Sequence, residues 1–271
     1  MNVPSAPLPS ERRFLDLVSA AEVVEDPCPH LFLDGLFSDN ELQALYDHLP
    51  DETLFQDVGS GLHTFQTWRE ADDLDKLDAR QSAYFQRLEQ ELFTPQVANA
   101  FYQKFRPSRE RLFDHLFGET AATRLTEIEL ADWSMAGALN IRDQSSELPI
   151  HLDWPNRLIS IVVYLAPEDG WREDWGTRLY EVRRDLSPAD ALGLMARTKP
   201  QELISVDTEQ YRTIDFRPGR VTAFMNTAWS HHGAAIEPTA GSHARRWCLV
   251  KGLNLTLGAT EAIFGLPPEL R

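Results

Sequence analysis

Over roughly the first 125 residues, apolar positions recur mostly at helical spacing. One exception is residues 29–37, PHLFLDGLF, which read as a short strand followed by a turn. Ser38 and Glu41 then stand at capping-box spacing. The Ser38 hydroxyl can accept one orphan helical N–H, and Glu41 can return to the Ser38 N–H. Leu42, Leu45, Tyr46 and Leu49 continue that helix on one face. A polar stretch over roughly 51–75 interrupts the rhythm. Tyr84, Leu88, Leu92 and Phe93 mark another helix. Pro95 suits the first turn of the next, whose stripe is Val97, Phe101 and Phe105. Ser108 is the expected cap of a further helix that Gly118 stops.

After about residue 125 the pattern changes to short runs rich in β-branched and apolar residues. Strands are expected over 125–133, 157–165, 177–183, 204–216, 221–226 and 246–257. Pro218-Gly219 is a turn between two of them. Ser187 and Pro188 open a helical insertion that ends near Lys199-Pro200. Helices come first and strands second, and alternating βα units are absent, which disfavours a doubly wound sheet. The expected fold is α+β, mainly β, in one domain over 1–271. Residues 1–125 form a mostly helical support packed on one face, 126–257 an antiparallel sandwich or barrel, and 258–271 a C-terminal tail.

Composition narrows the function. The chain carries 26 basic and 42 acidic side chains, a formal net charge of −16. That balance argues against nucleic acid or an anionic membrane as the main partner. Two cysteines, Cys28 and Cys248, are too few for a disulfide framework or a zinc ribbon. No signal peptide is readable at the N-terminus, and the longest strongly apolar run, 158–167, is about half of the ~20 residues a membrane helix needs. A cytoplasmic location is the expectation. Phosphate-binding loops, dinucleotide fingerprints, nucleophile elbows, C-x-x-C and H-E-x-x-H are all absent.

His151-Leu152-Asp153 is an H-x-D triplet ahead of a strong strand. In an extended segment residues i and i+2 point the same way, so the imidazole and the carboxylate can converge. Some eighty residues later, residues 226–233, NTAWSHHG, place His231 and His232 at a strand end. Two imidazoles and one carboxylate on one face of a metal make the facial triad of non-haem Fe(II) oxygenases, which leaves positions open for co-substrate and O2. A lone histidine at a strand end is commonly just hydrogen-bonded, so the combination carries the reading. Arg246 starts the next strand, where a guanidinium can bind a buried carboxylate bidentately. Tyr164 can donate a phenolic hydrogen bond to the same carboxylate. Trp154, Arg157 and Trp229 flank the ligands, and Asn140 and Arg142 are further candidates to face inward. An aromatic beside an Arg suits a small polar or anionic substrate. The stretch 51–80 and the loop 143–148 are candidate lids.

The ordered set H-x-D, a strand ending Tyr-Leu, G-T-R-L-Y, Pro-Gly, S-H-H-G and Arg resembles the 2-oxoglutarate/Fe(II)-dependent dioxygenases of the prolyl-hydroxylase-like type. The matching segment is about 149–257. The opening at 29–50 is similar to the strand-then-helix start of that superfamily. The resemblance implies a double-stranded β-helix, a jelly-roll relative. It implies Fe(II) bound by His151, Asp153 and His232, with 2-oxoglutarate and O2 as co-substrates. His232 is preferred because the family's distal histidine commonly precedes a Gly or a small residue. The opposite strand alternation would select His231. Arg246 would bind the far carboxylate, helped by Tyr164, with Arg245 as the substitute. The implied activity is hydroxylation of an unactivated C–H in a small metabolite, amino acid, sugar or peptidyl side chain. Two rivals keep part of the pattern: a cupin-like metalloenzyme without 2-oxoglutarate, and a non-catalytic barrel used as a binding module.

Overall fold

The computed structural model describes residues 6–59, 61–67, 72–130, 133–142, 147–167, 170–183, 185–196, 208–235 and 245–264. Helix α1 (Glu11–Ala20) precedes strand β1 (His30–Leu33) and helix α2 (Asp39–Tyr46). Strands β2 (Gln56–Asp57) and β3 (Leu62–Gln66) follow. Helices α3 (Ala79–Glu91), α4 (Pro95–Lys104), α5 (Arg106–Phe117) and α6 (Ala121–Leu130) then run in succession. Next come β4 (Trp133–Arg142), β5 (Glu147–His151), β6 (Arg157–Leu165) and β7 (Thr177–Val182). Helix α7 (Pro188–Met195), strands β8 (Thr208–Ile214), β9 (Val221–Met225), β10 (His232–Ala235) and β11 (Arg246–Leu255), and helix α8 (Leu257–Phe264) complete the described chain.

The strands form two antiparallel sheets. The larger has the order β1-β9-β6-β11-β4-β3-β2 and the smaller β5-β10-β7-β8. Alternation along each strand of the larger sheet divides its two faces. Leu139 and Ile141 of β4, Ile159, Ile161 and Val163 of β6, and Trp247, Leu249 and Leu253 of β11 join the helices in one core. Phe14 of α1 sits edge-on to Phe93 and Phe101 in that core. Lys251 also faces the helices, fully buried, and pairs with Glu89 of α3. The opposite positions, Asn140, Arg142, Ser160, Val162, Arg246, Cys248 and Val250, face a cavity between the sheets.

Local sequence signals account for most helix ends. Ser38 and Glu41 form the expected capping box. Thr94 caps α4 ahead of Pro95, and Ser187 caps α7 ahead of Pro188. Gly118, at φ 51°, ends α5 in a conformation that disfavours side chains. Three expectations are corrected. Ser108 lies inside α5 and donates to Glu25, because Pro107 already opens the helix at Arg106. Residues 121–130 are helical, not a strand from 125, because Leu125 and Ile128 both reach the core at i,i+3 spacing. The molecule is less β-dominated than expected, since helices hold at least as many described residues as strands. Residues 258–264 of the expected tail belong to helix α8, and 265–271 lie outside the described residues, as do 197–207, where the insertion was expected to end. The polar stretch near 51–75 supplies β2 and β3, which extend the larger sheet beyond β4. No described helix is long and apolar enough to cross a membrane.

Candidate metal centre

His151 ends β5, and its register partner across the smaller sheet is His232, the first residue of β10. Cross-strand partners project from one face, so the two imidazoles become neighbours, with ring centroids 4.3 Å apart. Asp153 follows His151 by two residues and returns its carboxylate to the same side. Ligand atoms of all three lie within 4.8 Å of one another. His232 Nε2 is 3.9 Å from Asp153 Oδ2.

The surroundings fix these groups. His232 Nδ1 donates to the Ser230 carbonyl at 2.9 Å, which leaves Nε2 as the lone-pair nitrogen. Ser230 is tied into the 226–230 turn by its contacts with Thr227, and Asn226 Nδ2 donates to the Trp154 carbonyl at 3.1 Å. That bond joins the turn before β10 to the segment after His151. Ser160 Oγ donates to Asp153, and Arg157 Nη1 lies 3.4 Å from the other carboxylate oxygen. Burial alone would raise the Asp153 pKa. Arg157, the two imidazoles and Ser160 overcome it and hold the carboxyl at about 2. The donor set is therefore an ionised carboxylate and two imidazoles, which fits a six-coordinate divalent metal with vacant positions.

His231 does not join this cluster. It is fully buried, both ring nitrogens lack hydrogen-bond partners, and burial followed by His232 lowers its pKa to about 4. Arg245 pairs with Glu52 at the partly exposed edge. Arg246 is buried at the cavity, its Nε donating to the Trp175 carbonyl at 2.6 Å. Its guanidinium stands 5.5 Å over the Tyr164 ring. Tyr164 is fully buried, and its hydroxyl donates to Thr177 Oγ1 at 2.7 Å while accepting from the Thr177 N–H at 3.0 Å. Thr177, not Tyr164, borders the cavity. Trp229 lies away from it, edge-on to His115.

The inner cavity has a volume of about 160 Å³, with His151, Asp153 and His232 in its wall and Arg246 and Arg142 among its lining. It adjoins an outer chamber of about 640 Å³ bordered by β3, β4 and Trp154, which is about half exposed. The 51–80 stretch thus contributes a wall through Leu62, Thr64 and Gln66. In the other candidate lid, Leu148 lines both chambers, and 143–146 lie outside the described residues. Ser160 and Thr177 were missed from sequence. The available signal for Ser160 was one small polar residue within the apolar run 158–165, on the face opposite Ile159 and Ile161.

No protein-family model and no curated protein matches the chain. Among solved structures, it is similar to an oxidoreductase of the 2OG-Fe(II) oxygenase family from Burkholderia pseudomallei (TM-score 0.45, 13% identity, 90% of each chain covered). It is also similar to HygX from Streptomyces hygroscopicus, solved with nickel and 2-oxoglutarate bound (TM-score 0.44, 14% identity, 84% of this chain and 83% of that one). A prolyl-4-hydroxylase from Pseudomonas putida gives a TM-score of 0.40 at 13% identity, over 89% of this chain and 98% of that one. Likenesses this distant transfer no residue roles, so the roles of His151, Asp153 and His232 rest on their own geometry.

Proposed function

We propose that this chain is a 2-oxoglutarate- and Fe(II)-dependent oxygenase that hydroxylates an unactivated C–H of a small metabolite, amino acid, sugar or peptidyl side chain. The observation that carries the reading is the convergence of His151, Asp153 and His232 on a cavity that also holds Arg246. The fold reading is a double-stranded β-helix. Its support is the order in which β4 to β11 are laid down: larger sheet, smaller, larger, smaller, smaller, larger, smaller, larger.

His151, Asp153 and His232 would hold Fe(II), which when bound supplies the site where co-substrate and O2 meet and the oxidising power for the C–H bond. The remaining work belongs to the chain. Arg246 neutralises the far carboxylate of 2-oxoglutarate. Thr177 contributes a hydroxyl to the same end: its Oγ1 accepts from Tyr164, so its own proton is free to donate into the cavity. Tyr164 therefore acts by positioning Thr177. Val162, Phe224 and Val250 give the inner chamber apolar walls that restrict water. Arg157 and Ser160 keep Asp153 ionised and oriented. The outer chamber, within the range of small-molecule pockets, receives the substrate.

A cupin-like enzyme without 2-oxoglutarate has no use for a buried guanidinium at that position, and a binding module has none for an ionised buried carboxylate beside two imidazoles. Succinate production separates the three. Fe(II)-loaded protein under air should convert 2-oxoglutarate slowly to succinate even without substrate. Absence of succinate at every iron load and with a broad panel of small metabolites would overturn the reading.

A further inference from the structure

Resting on the oxygenase reading, we propose that Arg142 binds an anionic oxygen group of the substrate, a carboxylate or a phosphate. Arg142 ends β4 directly opposite Arg246 of β11 in the antiparallel register. Two guanidiniums thus share one face of adjacent strands. Arg142 is 4% exposed, and its Nη1 is buried with no hydrogen-bond partner among the described residues. Asn140 lies two residues earlier on the same face, and its Oδ1 is likewise buried without a partner. Buried polar atoms are ordinarily satisfied, so the donor left open on Arg142 at a cavity wall points to an acceptor ligand, whereas the open Asn140 Oδ1 calls for a donor on a neighbouring part of that ligand.

Position separates the two arginines. Arg246 borders only the inner chamber, whereas Arg142 and Asn140 border both the inner and the outer one. Charge points the same way. Fe(II), Asp153 and Arg246 together carry two net positive charges, which the 2-oxoglutarate dianion cancels. Arg142 and Arg157 are then in excess. Among the described residues, Asp153 is the sole acidic group lining either chamber. Burial, and then Arg246, lower the Arg142 pKa to about 10, and no carboxylate among the described residues holds it up. A strongly acidic protein has thus built a basic junction between its two chambers, and a substrate anion completes it.

The test uses full-length protein loaded with Mn(II), a redox-inert stand-in, and saturating 2-oxoglutarate at constant ionic strength. Calorimetric titrations with acetate, inorganic phosphate and neutral acetamide read the junction, and a separate titration reads 2-oxoglutarate. Acetate or phosphate should bind saturably, which of the two naming the substrate's group, and acetamide should not bind. Arg142→Gln should weaken the anion at least tenfold while changing 2-oxoglutarate affinity less than threefold. Asn140→Ala, which removes only an acceptor oxygen from the junction, should leave the anion affinity within threefold of the parent. If Arg142→Gln does not fold, Arg142→Lys should keep 2-oxoglutarate binding and weaken the anion severalfold. The proposal falls if neither anion binds the parent protein, if the Arg142 variants bind it equally well, or if 2-oxoglutarate weakens tenfold, which assigns Arg142 to the co-substrate. Anion binding through Arg142 without any metal-dependent 2-oxoglutarate binding would sink the oxygenase reading and keep this one.

Discussion

Arg142→Met should stabilise the ligand-free protein. The guanidinium is buried beside Arg246, and its pKa falls from 12.5 to about 10. A base whose pKa drops on folding is charged at a cost in the native state. The cost is full at every pH below about 10 and fades as the pH rises from there toward 12.5. At about 1.4 kcal/mol per pKa unit, that drop corresponds to about 3 kcal/mol. Methionine keeps most of the stem but forfeits packing of the planar head, roughly 1 kcal/mol for a change of this kind. The net expectation is a gain of about 1–2 kcal/mol in urea unfolding at neutral pH, or roughly 3–6 °C in Tm for a chain of this size. The gain should shrink gradually as the pH rises above about 10. Saturating anion should reverse the order of the two proteins, because only the parent binds it. A Met variant less stable than its parent by more than about 1 kcal/mol would mean that the charge is compensated, and the argument for an unfilled subsite would collapse.

Other outcomes follow from single contacts. Lys251→Met leaves Glu89 buried without its cation and should cost about 3 kcal/mol in urea unfolding, and pairing it with Glu89→Leu should recover most of that loss. A single variant within 0.5 kcal/mol of the parent, on the order of an inert surface change, would refute the buried pair. Gly252→Ala would bring a methyl 2.6 Å from Arg157 Nε and 2.8 Å from Asn254 Oδ1. Both are ends of flexible side chains, so the fold should survive while Arg157 shifts from Asp153. Anaerobic Fe(II) titration should show affinity about tenfold lower, and unchanged affinity would remove Arg157 from the support of the metal ligands. Tyr164→Phe frees the Thr177 hydroxyl to turn, and 2-oxoglutarate should bind about fivefold more weakly, the equivalent of one ordinary hydrogen bond. A loss of a hundredfold would mean that Tyr164 meets the co-substrate itself.

Much of the candidate site was legible because its chemistry is local. His151 and Asp153 stand two apart, the spacing that an extended chain turns to one side, although Asp153 lies just beyond the end of β5 and is held there by Ser160 and Arg157. The Ser38–Glu41 box and the Pro95 and Pro188 starts are signals contained within one turn of chain. The choices that sequence left open depended on register. Whether His231 or His232 faces Asp153 turns on the pairing of His232 with His151, and Arg246 rather than Arg245 faces inward for the same reason. A one-residue slip would exchange each pair. The meeting of Arg142 with Arg246 depends on a pairing more than a hundred residues long in sequence, and no local pattern encodes it. Helix α6 was misread because the Thr and Ile residues of 121–130 suggest a strand, while packing on α5 and α8 decides for a helix. Trp229 looked like a pocket residue by proximity to His232 in sequence, yet the turn at 226–230 aims it at His115.

The most direct measurement is an anaerobic Fe(II) titration with 2-oxoglutarate, followed by its weak visible charge-transfer band. One Fe(II) per chain should bind with the band present. His151→Ala, Asp153→Ala and His232→Ala should each abolish it, Arg246→Ala should require far more 2-oxoglutarate, and His231→Ala should retain it. A band that survives Asp153→Ala and His232→Ala, or that His231→Ala removes in a folded protein, would contradict the metal centre proposed for this chain.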